Sequence, residues 1–223
     1  INPKNTFSIG LTYKDKWINQ KDSVFYYGRY LNLLDLENEH LRQFQGFIEW
    51  KLWFSDITDV YLGLHSQYLL LNNTKTLEPR FGFSWRITKN QSINLGYGVH
   101  SQTQSLPVYF VETCNPERTE YWRTCENLDF SKSQHFVIGY SNKFSENWNC
   151  KIEAYYQDVW DIPVEPRASN FSVLNLGSTY YNGTEDKDSL VNNGLGKNYG
   201  IELTLEKYLS KNWYLLITAS LFD

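Results

Sequence analysis

The stretch from Leu77 to Gln102, LEPRFGFSWRITKNQSINLGYGVHSQ, alternates apolar and polar residues along two arms that are joined by a polar turn. Successive side chains of a strand point to opposite faces, so each arm presents one apolar face and one face of small or polar residues. The apolar faces consist of Phe81, Phe83, Trp85 and Ile87 on the first arm and of Ile93, Leu95, Tyr97 and Val99 on the second. The pattern predicts an antiparallel hairpin with arms at residues 78–87 and 92–102.

Each arm is about as long as a tilted strand that crosses a bilayer, which takes roughly 9–11 residues. A long apolar face opposite a face of Arg, Ser, Gly, Asn and His suits a barrel with lipid outside and a wet or plugged interior. The mean hydropathy is −0.52, and no apolar run approaches the ~18 residues that a membrane helix needs. The net charge of −4 offers no basic surface for nucleic acid.

The same alternation returns along the chain and predicts an all-β fold, an antiparallel transmembrane β-barrel segment of about nine long strands. Besides the two arms, strands are predicted at residues 7–17, 42–54, 60–70, 136–142, 151–157, 199–206 and 215–221. Long loops are predicted at 19–40, 103–131 and 161–196. Short connections of similar composition precede strands at 3–5, 88–90, 145–147 and 210–212. This asymmetry indicates short periplasmic turns and long extracellular loops.

Aromatic residues lie beside the short turns, where a membrane-interface girdle is expected. They are Phe54, Trp85, Phe144, Trp148, Tyr208 and Trp213. The alternative, a soluble β-sandwich with an aromatic core, is disfavoured because sandwich strands are usually about five or six residues long.

Five segments resemble the barrel of TonB-dependent outer-membrane receptors of the Bacteroidetes type. They are residues 77–80, 96–102, 153–156, 198–207 and 218–223. The resemblance covers nearly the whole chain and implies a barrel of about 22 strands, an N-terminal plug domain inside it, and uptake driven by the inner-membrane TonB energy complex. Residues 1–223 are then expected to form part of the barrel domain, with the plug domain and the remaining strands outside this stretch.

Two classes of function follow. The first is a receptor in the outer membrane of a Gram-negative cell, with lipid, plug domain and TonB complex as partners and a metal chelate, oligosaccharide or peptide as ligand. The second is a passive pore or an outer-membrane barrel enzyme. The sequence contains no Gly-rich phosphate loop, HExxH or GxSxG motif, so no catalytic residue and no cofactor is assigned.

A repeated motif marks candidate residues for the barrel interior. Gly-Leu-His-Ser-Gln at 63–67 and Gly-Val-His-Ser-Gln at 98–102 both place a His and a Gln on the inward face of their strands. With two residues of the strand between them, the predicted inward layer is His65, Gln67, Glu78, Arg80, His100 and Gln102. This layer either contacts the ligand or the plug, or is a solvated or plug-packing wall. His65 and His100 are separated by one strand, roughly 10 Å, which is too far for one metal ion.

Cys114 and Cys125 lie in one polar loop on the oxidising side of the membrane. A disulfide between them is expected and would stabilise the loop by roughly 3 kcal/mol. The alternatives are two free thiols or partners outside this stretch. Cys150 falls on the lipid-facing side of its strand and is expected to be inert.

Overall fold

Nine strands form one antiparallel sheet in the computed structural model, and strands adjacent along the chain are adjacent in space. The structure describes residues 4–110, 112–114, 120–176 and 189–223. In chain order the elements are β1 (Asn5–Tyr26), β2 (Arg29–Ser55), β3 (Thr58–Leu69), β4 (Lys75–Arg86), β5 (Gln91–Gln102), α1 (Leu106–Tyr109), β6 (Glu112–Cys114), β7 (Tyr121–Arg123), β8 (Ser131–Ser145), β9 (Trp148–Val164), α2 (Val173–Leu176), β10 (Val191–Ser210) and β11 (Trp213–Phe222). The short strands β6 and β7 pair only with each other. The predicted fold class is confirmed.

The outer face of the sheet is apolar and exposed. One row of cross-strand partners runs across eight strands, through Phe7, Trp50, Leu62, Phe81, Tyr97, Phe136, Tyr156 and Tyr199. Within it the Tyr97 and Phe136 rings lie 4.7 Å apart. The predicted hairpin is confirmed, because β4 and β5 pair from Arg86 opposite Ser92 to Arg80 opposite Gly98. The opposite, inner face carries the small and polar residues of the alternation.

The short turns lie at one rim, which we call the short-turn rim. Between β10 and β11, Lys211 and Asn212 both adopt positive φ angles, 52° and 65°, the backbone that a two-residue hairpin turn requires. The turn between β4 and β5 is linked to the neighbouring strand, since the Lys143 N–H of β8 donates to the Asn90 carbonyl at 2.8 Å. Three of the predicted aromatic residues meet here, with the ring centroids of Phe144 and Trp148 6.0 Å apart and those of Trp148 and Trp213 6.2 Å apart.

Residues 19–40, predicted as a loop, are instead a paired extension of β1 and β2. The two strands continue to a turn at Tyr27 and Gly28, whose φ angles are 47° and 78°. Register shifts occur between Ile18 and Gln20 and between Asp22 and Ser23. Each irregularity interrupts the period of two, which explains why the sequence shows no clean alternation there.

The described residues of the stretch 103–130, which was predicted as part of a polar loop, form a cap that holds most of the apolar core. The core residues of this cap are Val108, Tyr109, Phe110, Cys125, Leu128 and Phe130, and they pack with Leu36, Leu41, Leu69 and Leu190. Burial raises the pKa of Tyr109 to about 12, and its hydroxyl accepts a hydrogen bond from the Gln104 N–H at 3.2 Å. Leu41 and Leu69 are inner-face residues of β2 and β3, so the cap covers the inner face at the rim opposite the short turns. We call this the long-loop rim.

The third long connection is shorter than predicted because both flanking strands extend into it. β9 continues to Val164, which pairs with Val191 at the start of β10. Pro163 therefore lies within β9, one residue before its end, and Pro166 falls beyond the strand. No helix in the described residues is long and apolar enough to cross a membrane.

The structure leaves Cys125 as a buried free thiol whose pKa is raised by burial. The expected disulfide is thus not formed at Cys125, and the side chain of Cys114 lies outside the described residues. Cys150 is also free and lies on the outer face, opposite Asn142 and Leu205.

Candidate functional site

Glu78 is the centre of a polar cluster on the inner wall of the sheet. Its side chain is only 2% exposed. The carboxylate accepts hydrogen bonds from five side chains that we call, with Glu78, the Glu78 cluster: His65, Gln67, Thr76, Arg80 and Ser101. Two of the shortest contacts are His65 Nδ1 at 2.8 Å and Gln67 Nε2 at 2.5 Å. A buried carboxylate is tolerated because its charge is paired and its oxygens are fully bonded.

Strand register brings this cluster together. β3 and β4 place His65 opposite Glu78 and Gln67 opposite Thr76, with all four side chains on the inner face. Two residues of β2 extend the network, since Gln43 and Gln45 donate to Oε1 of Gln67 at 2.5 and 2.8 Å. The extended network therefore spans β2 to β5, directly beside Leu41 and Leu69, the inner-face residues that the cap covers.

Ser101 joins the cluster against its strand parity. The β4–β5 ladder extends only to Arg80 and Gly98, and beyond it the β5 backbone is no longer held in register with β4. The Ser101 hydroxyl then reaches Glu78, and its carbonyl accepts from Gln67 Nε2 at 2.9 Å.

A second group of polar side chains lies beside the Glu78 cluster, on the inner face of β5, β8 and β9. His100 and His135 meet edge to face with ring centroids 5.2 Å apart. Gln157, in register with His135, contacts Nε2 of that ring at 3.2 Å. Arg80 lies between the two groups: its Nη2 donates to Glu78 at 3.2 Å, while its Nε is buried without a hydrogen-bond partner among the described residues.

Four of the six predicted inward residues, His65, Gln67, Glu78 and Arg80, belong to the Glu78 cluster. His100 lies in the second group. Gln102 is in register with Ser131 and makes no hydrogen bond to the cluster within the described part of the chain.

Five further residues of these polar groups were not predicted as site residues, although their strand parity places all of them on the inner face: Gln43, Gln45, Thr76, His135 and Gln157. Thr76 precedes Glu78 by two residues, and His135 alternates with the outer-face Phe136. Parity would have found these residues, whereas it assigns Ser101 to the wrong face.

The described residues offer little for catalysis or metal binding. They contain no group of three or more His, Cys, Asp or Glu side chains that could hold a metal ion. Ser133 Oγ lies 3.0 Å from His135 Nε2, but Gln157 shares that nitrogen. A nucleophile pair also needs a third group to orient the base, and the described contacts of His135 include no carboxylate.

No protein-family model matches the chain, and no curated protein matches it in sequence. Solved structures do match it. The siderophore receptor PirA from Pseudomonas aeruginosa has a TM-score of 0.68 and 14% identity over 98% of this chain and 39% of its own. The FrpB iron transporter from Neisseria meningitidis (F3-3 variant) has a TM-score of 0.63 and 13% identity over 100% and 34%. The RagAB peptide importer has a TM-score of 0.58 and 15% identity over 87% and 22%.

At these identities the matches show the fold alone, an antiparallel β-barrel segment that the chain shares with these receptors and transporters. The chain spans 22% to 39% of the length of these three structures. The sheet is open accordingly, because β1 pairs only with β2 and β11 only with β10 among the described strands.

Proposed function

We propose that the chain is part of the barrel of an outer-membrane receptor that imports its ligand with energy from the inner-membrane TonB complex. The observation that carries the proposal is the division of the sheet into two faces. The outer face exposes a row of apolar side chains across eight strands, and the inner face holds polar groups around Glu78. A barrel with lipid outside and a plugged interior needs this division.

The partners follow from the same proposal. Lipid covers the outer face, a plug domain of the same protein fills the lumen, and the TonB complex contacts a region outside this stretch. Residues 1–223 are one part of the barrel domain, of the Bacteroidetes type. The inner-wall residues His65, Gln67, Glu78, Arg80, His100 and Gln102 are candidates for contact with ligand or plug.

The ligand is proposed to be a metal chelate, an oligosaccharide or a peptide. Among the structural neighbours are a siderophore receptor, an iron transporter and a peptide importer. The long-loop rim, where the cap and the extended β1–β2 hairpin lie, would be the first part that such a ligand meets.

The test is uptake by cells that carry the intact protein. A panel of labelled ferric siderophores, oligosaccharides and peptides is offered to cells with and without the gene, and surface abundance is measured in parallel. We expect one class to enter only with the protein and to stop entering when the energy-coupling protein is deleted. Undiminished uptake after that deletion would contradict the proposal and make a passive pore the better account.

A further inference from the structure

Arg80 lies in a row of the inner wall whose next members on both sides are glycines. Register places Arg80 opposite Gly63 of β3 and opposite Gly98 of β5. A Cβ atom at Gly63 would lie 3.3 Å from Arg80 Cβ, and one at Gly98 would lie 3.7 Å from Arg80 Cγ. Neither glycine adds a side chain beside the base of Arg80; instead the Tyr61 ring lies over Gly63, with its hydroxyl 2.9 Å from the Cβ position there. We call this part of the inner wall the Arg80 shelf.

The guanidinium of Arg80 is only partly used. Its single hydrogen bond among the described residues runs from Nη2 to Glu78, at 3.2 Å, and its Nε has none. Its side chain remains 32% exposed, whereas that of Glu78 is 2% exposed. Glu78 is closed to an incoming group by its other donors, but Arg80 retains unused N–H groups on a partly exposed side chain.

Two imidazoles border the shelf. A Cβ atom at Gly98 would lie 3.0 Å from Nε2 of His100, so that ring lies over the glycine. His135 follows Gly98 in the same cross-strand row, and its ring contacts that of His100. His100 therefore lies beside Arg80 and His135 beside His100, and each imidazole can donate an N–H.

We propose that Arg80, His100 and His135 form a binding site for a carboxylate or phosphate group of the imported ligand. A guanidinium presents a planar fork of donors that matches such a group, and charge-assisted hydrogen bonds are the strong ones. The row from Gly63 through Arg80, Gly98 and His135 to Gln157 contains no acidic residue, and its next member on β2, Glu49, is bonded by the Tyr61 hydroxyl at 2.8 Å. The inference rests on the proposed function, because it takes the lumen as the path of the ligand.

The first experiment compares two arginines on the same face of β4. The intact protein in detergent is titrated with inorganic phosphate and with citrate, and the affinity is measured by calorimetry. Arg80→Gln removes the charge at the shelf, and we expect at least about tenfold weaker binding, the usual cost of losing a charged partner. Arg86→Gln is the control, because Arg86 donates to the Asp56 carbonyl near the short-turn rim and should leave the affinity unchanged.

The second experiment fills the shelf without changing any charge. In Gly98→Val the new side chain enters the space beside Arg80 and His100, and we expect a loss of affinity comparable to that of Arg80→Gln. Only the movable end of His100 must shift, so the sheet should remain folded. Gly96→Val is the matched control, because a Cβ atom there meets only Val137, at 4.0 Å.

Wild-type affinity in Arg80→Gln or Gly98→Val would overturn the site. Failure of the wild type to bind either probe would overturn it too and would favour a protein carboxylate in the lumen as the partner of Arg80. Binding is measured here without transport. Uptake that persists without the energy-coupling protein would therefore refute the proposed function while leaving this result standing.

Discussion

Glu78 shows how a single residue can fix the inner wall. Its carboxylate joins donors from β3, β4 and β5, and Gln67 passes the network on to Gln43 and Gln45 of β2. The carboxylate is bonded by all five of its neighbours, and this matters because an unpaired buried polar group costs about 1–3 kcal/mol. We therefore infer that Glu78 itself holds the strands in place, while the neighbouring Arg80 remains able to bind.

Replacing Glu78 by Gln should destabilise the barrel strongly. The amide keeps the size of the side chain but turns one acceptor into a donor among five donors, and removing the charge leaves Arg80 without its partner. We expect a loss of about 3–5 kcal/mol in the free energy of unfolding, measured by urea titration in lipid vesicles.

Glu49→Gln is the control for this prediction. Glu49 also lies on the inner wall, but it accepts a hydrogen bond only from Tyr61, at 2.8 Å, among the described side chains. Its loss should cost about 1 kcal/mol. Equal small losses for both variants would show that water, rather than the cluster, satisfies Glu78.

At the scale of elements, the cap is attached to the sheet by specific polar contacts as well as by its core. Arg123 of β7 pairs with Glu39 of β2 through two hydrogen bonds, and its guanidinium lies 5.0 Å from the centre of the Phe110 ring. Asn72, after β3, donates to the Leu128 carbonyl at 2.8 Å. These contacts hold the cap against the extended β1–β2 hairpin and over the inner face.

Arg123→Ala should loosen the cap while leaving the strands intact. A partly buried two-bond ion pair contributes about 1–3 kcal/mol, and its loss exposes the aromatic residues of the cap. We expect faster cleavage within residues 103–130 by chymotrypsin added to intact cells, detected by mass spectrometry.

Glu39→Gln should reproduce this effect, because it removes the other half of the pair. Arg167→Ala is the control, since Arg167 is exposed in the loop after β9. Cleavage of the Arg123 variant at the wild-type rate would mean that the apolar core alone holds the cap.

At the scale of the molecule, the nine strands form a surface whose two faces require different surroundings. Large apolar side chains remain exposed on the outer face, such as Ile9 at 68% and Leu11 at 88%. A continuous patch of this kind is far larger than those of soluble monomers. Under the proposed function the edges at β1 and β11 would pair with further strands, because unpaired backbone groups are not tolerated in lipid.

Spin labels on adjacent residues of β5 test this division. A label at Leu95, on the outer face, should be accessible to lipid-soluble oxygen and shielded from aqueous relaxants. A label at Asn94, on the inner face, should show less contact with oxygen and more with the aqueous reagent, in a background whose three native cysteines are replaced. The opposite pattern, or none, would contradict the assignment of the outer face to lipid.

Much of this arrangement follows from the sequence by itself, because the period of two is a local property of an extended chain. Alternation was sufficient to identify the outer row, the β4–β5 hairpin and the inward direction of Glu78 and Arg80. The short turns were equally readable, since their geometry depends on a few neighbouring residues such as Lys211 and Asn212.

Only the tertiary structure decided the features that depend on distant partners. Irregular pairing after Ile18 hides a strand from any test of alternation, because one unmatched residue reverses the parity of the residues that follow. The apolar residues of the cap have no regular spacing, and their burial depends on Leu41 and Leu69 lying beneath them. Ser101 faces Glu78 only because the β4–β5 ladder stops at Gly98, and the length of a ladder is set by both of its strands together.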